Sequence, residues 1–239
     1  MELHIYPTSD SAIKSLADFF VQIVHSAITE KGYAYVVLTG GNSPKKLYNL
    51  LASEEYKGQL EWSKVFFFFG DERYVPFVHD EHNGRMVKQL FFDPLDIPET
   101  NIFYVNTSLE PEKAAEEYAL KITSLFMNKP VSFDLVLLGL GDNAHTASLF
   151  PYTSVLSEQK EIVKAVYVDE LKSHRITLTA PVINSAHNIA FLVFGNDKAE
   201  AVYNVIEGEK NHEKYPGQLI EPLTGTGHWF LDEAAAAKL

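Results

Sequence analysis

The chain has 239 residues, 46% of them hydrophobic and 22% charged, with a formal net charge of −12 and no cysteine. That is ample material for a buried core, while the acidic balance argues against a nucleic-acid surface, which gathers Lys and Arg in excess. Disulfides, thiolate metal sites and thiol nucleophiles are excluded, which fits a reducing compartment.

No apolar run nears the roughly 18 residues of a membrane span. Met1 to Asp10 lacks the basic-then-apolar pattern of a secretory signal. A cytoplasmic location is expected, with no membrane or nucleic-acid partner and no obligate protein partner. The last three residues, Ala237-Lys238-Leu239, come close to a peroxisomal address; they read instead as the end of an alanine-rich helical tail.

In chain order, Ile13, Leu16, Phe20, Val24 and Ala27 mark one face of a helix over 11–29. Strands are predicted at 35–38, 65–69, 101–105, 134–138, 162–168, 175–179 and 189–194. Helices are predicted at 44–53, 82–91, 111–127, 180–186 and 196–205. The mixed stretch 208–228 reads as surface loop before a last strand near 228–231. Alternating strands and helices imply βαβ units and a mainly parallel sheet. No repeat or low-complexity linker divides the chain, so one α/β domain over residues 1–239 is expected.

The most informative stretch runs from Asp134 to Pro151, Asp-Leu-Val-Leu-Leu-Gly-Leu-Gly-Asp-Asn-Ala-His-Thr-Ala-Ser-Leu-Phe-Pro. Its apolar run suits a strand covered on both faces. Gly139 and Gly141 then break it, where backbone freedom is expected to be needed. His145 follows, before a predicted helical turn over 146–150. A lone histidine is more often a cap or a core side chain. One placed just beyond a strand end stands where ligands of α/β sheets bind, and becomes a candidate general base. Its reference pKa of about 6.5 sets the expected acid limit of activity.

Three further groups bear on chemistry. Gly40, Gly41, Asn42 and Ser43 follow a strand, with Ser43 as predicted N-cap and Pro44 as first helical residue, a turn suited to phosphate. It is neither a Walker A sequence nor a dinucleotide fingerprint. Asp71 and Arg73 follow the strand Phe66-Phe-Phe-Phe, where solvated loop charges are as common as functional ones. Read functionally, Asp71 fixes hydroxyls and Arg73 meets an anion or developing charge. Arg175 and Lys198 lie beside strand ends and could add phosphate contacts. His79 and His82 have metal-like spacing without a third ligand, and Ser148 lacks the surroundings of a nucleophile. No cofactor and no metal is expected.

Taken together, Thr39-Gly-Gly-Asn-Ser-Pro44, Gly70-Asp-Glu-Arg-Tyr-Val-Pro76, Asn83-Gly-Arg-Met86, Leu138 to Pro151 and Arg175-Ile-Thr-Leu-Thr179 resemble the 6-phosphogluconolactonase family. The resemblance covers nearly the whole chain. It implies a modified Rossmann-like, mainly parallel sheet flanked by helices, with a smaller flanking region, as in glucosamine-6-phosphate deaminase. It also implies hydrolysis of a sugar-phosphate lactone, 6-phosphogluconolactone, to 6-phosphogluconate in the oxidative pentose phosphate pathway. By position, His145 would be the general base, and Arg73 and Asp71 would line the sugar end. Gly40, Gly41, Asn42, Ser43, Arg175 and Lys198 would hold the phosphate, and Asn143 would contact substrate.

One departure stands out. The family's Asp-Gly before the histidine is Asn143-Ala144 here, which suggests a backbone that does not demand glycine. The deaminase alternative calls for an acid two residues before this histidine and another shortly after. Neither is present, which favours ester hydrolysis. A sugar-phosphate sensor without turnover is the remaining alternative, but the chain shows no basic DNA-binding segment.

Overall fold

The computed structural model describes residues 1–127 and 129–239. Six strands form a parallel sheet in the order β1-β9-β8-β5-β2-β3. They are β1 (Glu2–Tyr6), β2 (Ala34–Leu38), β3 (Val65–Phe69), β5 (Leu135–Leu138), β8 (Asn188–Val193) and β9 (Thr226–Asp232). A second, antiparallel sheet in the order β4-β7-β6 comprises β4 (Asp71–Arg73), β6 (Val163–Val168) and β7 (Ser173–Leu178). This is the mainly parallel α/β sheet with a smaller flanking unit that the sequence implied. Among the described residues, no helix is long and apolar enough to cross a membrane.

The central strands are apolar throughout because both faces are covered. On one face Val36, Leu38, Phe67, Phe69, Leu135 and Leu137 pack against α1 (Ser9–Lys31) and α2 (Lys45–Leu51). On the other, Tyr35, Val37, Phe68, Val136 and Leu138 pack against α4 (Pro111–Leu125) and the flanking sheet. Alternate residues of each strand thus enter different cores, as a period of two requires. Helix α1 is defined at both ends: Thr8 and Ser11 form a capping box, and Gly32 closes it at φ 88°.

Several expected elements differ. The strand expected at 101–105 is a short 3-10 turn with one bridge, Ile102 to Phe67. Asn101 Nδ2 donates to the carbonyls of Ser63 and Val65, so a side chain occupies acceptors that a ladder would use. Strands β1 and β4 went unread. The helix expected at 82–91 is α3 (Asn83–Val87) continued by a π-helical turn, with His82 as its N-cap. That expected at 180–186 is α5 (Ala180–Asn184), and that expected at 196–205 is a 3-10 turn leading into α6 (Ala199–Ile206). Ser43 caps nothing: α2 begins one residue later, with Pro44 at the cap position. The tail from 233 to 238 forms turns rather than a helix, and Lys238 pairs with Glu200.

The loop 208–228 is also less superficial than its composition suggests. Gln218 is buried and bridges Asn211 N, Asn204 O and Glu209 O. Its neighbour Gly217 donates to Ala144 O at 2.9 Å, bracing the loop that carries His145.

Candidate active site

Strands β3, β2, β5 and β8 are consecutive neighbours in the sheet, so the segments leaving their carboxyl ends share one edge. These segments bring Asp71 and Arg73 after β3, Gly40 to Ser43 after β2, His145 after β5, and Lys198 after β8. Arg175 arrives from the flanking sheet.

The β5 loop closes on itself. Gly141 N donates to His145 O, Ala144 N to Gly141 O, and Thr146 Oγ1 to Gly139 O. No helical turn follows; Thr146 and Leu149 instead bridge a tight turn with Ala147 at φ 46°. The glycine reasoning also needs correction, because neither Gly139 nor Gly141 has a positive φ. The left-handed residue is Ala144, at φ 62°. Its position does favour glycine, contrary to the sequence reading. Gly141 is required for space: a Cβ there would lie 2.0 Å from His145 Nδ1.

The imidazole is therefore fixed. Phe150 stacks on it with centroids 4.0 Å apart, and Asn143 Oδ1 lies 2.6 Å from Nδ1. The same Oδ1 accepts from the His145 backbone N–H at 3.2 Å. A backbone N–H can only donate, so the amide atom facing it is the oxygen. Nδ1 must then carry the proton, which leaves the Nε2 lone pair free. Burial lowers the His145 pKa to about 4, with Asp71 and Asp142 pulling it up and Lys198 and Arg73 pushing it down. The ring is neutral at neutral pH, well below the reference value expected from sequence. Asn143 spends its oxygen on His145, leaving Nδ2 for the substrate contact expected of it.

Asp71 is buried, and its Oδ2 accepts from Ser148 Oγ at 2.6 Å. Ser148 N in turn donates to Thr177 Oγ1 on β7. Ser148 is thus an anchor for Asp71. Arg73 stands opposite Arg175 in the β4–β7 register. Arg73 donates to Glu81 O, and Arg175 to Ser173 Oγ and His174 O. Among the described residues neither guanidinium has a carboxylate within 4.0 Å, and the nearest to Lys198 Nζ is Asp197 at 3.9 Å. Burial, then the charge of Arg73, lowers the pKa of Arg175. Arg73, Arg175 opposite it and Lys198 make a local excess of positive charge in a chain of net charge −12.

The Gly40–Ser43 turn reaches this group through Asn83. A Cβ on Gly40 would lie 1.9 Å from Asn83 Oδ1, and Asn83 Nδ2 donates to Asp71 O. Gly41 is left-handed at φ 87°. Sequence reasoning gave no role to Asn83 or Glu72, though both lie in motifs it singled out, and passed over Gly217. Glu72 is fully buried, accepts from the backbone N–H groups of Arg73, Asn83 and Gly84, and lies 3.1 Å from His82 Nδ1. Burial raises its pKa and lowers that of His82. His82 therefore belongs to this clamp, while His79 accepts from Glu81 N. A cavity of about 440 Å³ lies beside the β5 loop, but its wall sets Asp142, Asp169 and Glu170 against Lys214 alone and carries none of the three cations. It is a poor seat for an anion.

The family profile described as glucosamine-6-phosphate isomerases/6-phosphogluconolactonase matches residues 7–229. The chain is similar to the 6-phosphogluconolactonase of Synechocystis sp., at 38% identity over 90% of this chain and 89% of that one. It is likewise similar to that of Nostoc sp., at 35% identity over 99% and 98%. A solved 6-phosphogluconolactonase from Trypanosoma cruzi superposes with a TM-score of 0.89 at 27% identity, covering 100% of this chain and 96% of the other. With the sheet order, the loops and these matches in agreement, the chain belongs to the glucosamine-6-phosphate isomerase/6-phosphogluconolactonase family.

Proposed function

We propose that the protein hydrolyses 6-phosphogluconolactone to 6-phosphogluconate, with His145 Nε2 as general base. The observation that carries this reading is the imidazole whose Nδ1 is held by Asn143 Oδ1, turning Nε2 to the substrate, with Arg73 and Lys198 acting on it and Arg175 opposite Arg73. Nε2 takes a proton from water as its oxygen attacks the lactone carbonyl. Arg73 stabilises the oxyanion of the tetrahedral intermediate. Collapse breaks the bond to the ring oxygen, which leaves with the proton returned from the imidazolium. The products are a carboxylic acid, which ionises, and a free hydroxyl. Asp71 orients sugar hydroxyls, with Asn143 Nδ2 as a further contact. Arg175, Lys198 and the backbone of Gly40, Gly41, Asn42 and Ser43 hold the phosphate.

The deaminase alternative is disfavoured by the neutral Asn143 and by the lack of any acid from Thr146 to Tyr152, since moving protons between substrate carbons needs a further acid–base group. Ammonia release from glucosamine-6-phosphate would reverse that preference, and a lactone rate no faster than spontaneous hydrolysis would favour a binding module. The direct test is His145→Ala. General-base catalysis is worth roughly 10²–10⁴ in rate, so kcat should fall by about that factor with KM little changed. A folded variant with near-normal kcat would overturn the assignment.

A further inference from the structure

We propose that Glu2, His4 and His228 form a binding site for a zinc-class divalent transition-metal ion, separate from the site of lactone chemistry. Glu2 and His4 are two residues apart on β1 and so share a face. His228 on β9 is in register with Glu2. His4 Nε2 lies 3.2 Å from His228 Nδ1. Glu2 Oε2 lies 3.8 Å from His4 Nε2 and 3.4 Å from His228 Nδ1. Ligands at about 2.0–2.1 Å from a tetrahedral zinc are separated by roughly 3.3–3.4 Å. The three donor atoms already bracket that spacing, so one ion can meet all of them with shifts of a few tenths of an ångström.

The surroundings hold the rings in place. Phe230 stacks on His4 at 4.7 Å, and Phe19 of α1 packs against His228 at 4.5 Å. The His228 side chain is 8% exposed and that of His4 30% exposed, which leaves an open side for a water as fourth ligand. Two imidazoles and a single carboxylate suit zinc, nickel or copper rather than the oxygen-seeking magnesium or calcium. Glu2 and His228 lie in the amino-terminal halves of their strands and His4 at the middle of β1, whereas His145 follows the carboxyl end of β5. The ion would staple edge strand β1 to β9 and take no part in turnover.

Zinc chloride titrated into the untagged, chelator-dialysed full chain tests this by calorimetry and thermal unfolding. The expected result is one zinc per chain at micromolar affinity or tighter and a rise in Tm of several degrees. His4→Ala should weaken binding at least a hundredfold, and the exposed Glu2→Gln about tenfold. Lactonase activity after chelation should match that before. Absence of saturable binding, or zinc bound as tightly by His4→Ala as by the wild type, would overturn the proposal. Glu2→Gln keeps the test decisive if the histidine variant folds poorly, because affinity unchanged in it would also remove the carboxylate from the site.

Discussion

Replacing Asn143 by aspartate puts a charge where the structure has a neutral dipole, 2.6 Å from the protonated nitrogen of His145. Unit charges centred about 4 Å apart at an effective dielectric near 20 attract by about 4 kcal/mol, equivalent to roughly 3 pKa units. Solvent and the nearby cations absorb part of this, so Asn143→Asp should raise the His145 pKa by about 2 units, taking it from about 4 to roughly 6. Since His145 must be neutral to act, activity is lost as pH falls through its pKa. The wild type should therefore keep kcat/KM down to about pH 5, and the variant should lose it near pH 6. Spontaneous hydrolysis is subtracted at each pH, and the ionisation of the substrate phosphate affects both profiles alike. The imidazole nitrogen shifts of His145 give the same comparison without turnover. Coincident acid limbs in the two proteins would refute the base assignment or the Asn143 contact, and the nitrogen shifts would show which.

Arg175→Ala and Lys198→Ala should each raise KM about tenfold to a hundredfold with kcat little changed, because each removes a charge-assisted contact worth roughly 1.5–3 kcal/mol; a fall in kcat alone would place them elsewhere in the mechanism. Gly141→Ala puts a methyl 2.0 Å from His145 Nδ1 at a backbone conformation that alanine tolerates, so the variant should fold, as circular dichroism would show, yet lose kcat about as severely as His145→Ala. His145 also carries a stability signature: with its folded pKa depressed by burial to about 4, the unfolded chain takes up the proton first. Its contribution to stability is thus lost as pH falls from about 6.5 toward 4, and denaturant titrations of His145→Ala should show less loss across that window than those of the wild type.

What could be read ahead of the structure followed from local physics. Leu135–Leu138 declares a doubly buried strand because both of its faces must be apolar, and His145 does fall in the loop beyond its carboxyl end, although the left-handed residue there is Ala144 rather than a glycine. The antiparallel pairing of Arg73 with Arg175 was not readable, because β4 has three residues and its register is fixed by a strand far away in sequence. Glu72 and Ser148 were hidden for a related reason. Their partners are the backbone of Gly84 and the carboxylate of Asp71, contacts that exist only once two loops meet. The Glu2, His4 and His228 cluster likewise joins opposite ends of the chain, while His79 and His82, whose spacing lacked a third metal ligand in the sequence, serve a turn and the Glu72 clamp.

The Asn143-Ala144 pair is accommodated without loss of the loop geometry. A left-handed alanine costs about 1–2 kcal/mol. Glycine at the same position would cost roughly 0.4–1 kcal/mol through its freer unfolded chain, and it would forfeit a buried methyl worth about 0.8 kcal/mol. Ala144 is 1% exposed within the core, so these amounts nearly cancel. The loop conformation is set instead by bonds that no side chain at 144 can alter: Gly141 N to His145 O, Ala144 N to Gly141 O, and Gly217 N to Ala144 O. Asn143 follows the same logic. Its oxygen meets the geometric need of the imidazole as a carboxylate oxygen would, while withholding the charge. Geometry and basicity are therefore controlled by separate atoms in this site, which is why one substitution at 143 can move the second without disturbing the first.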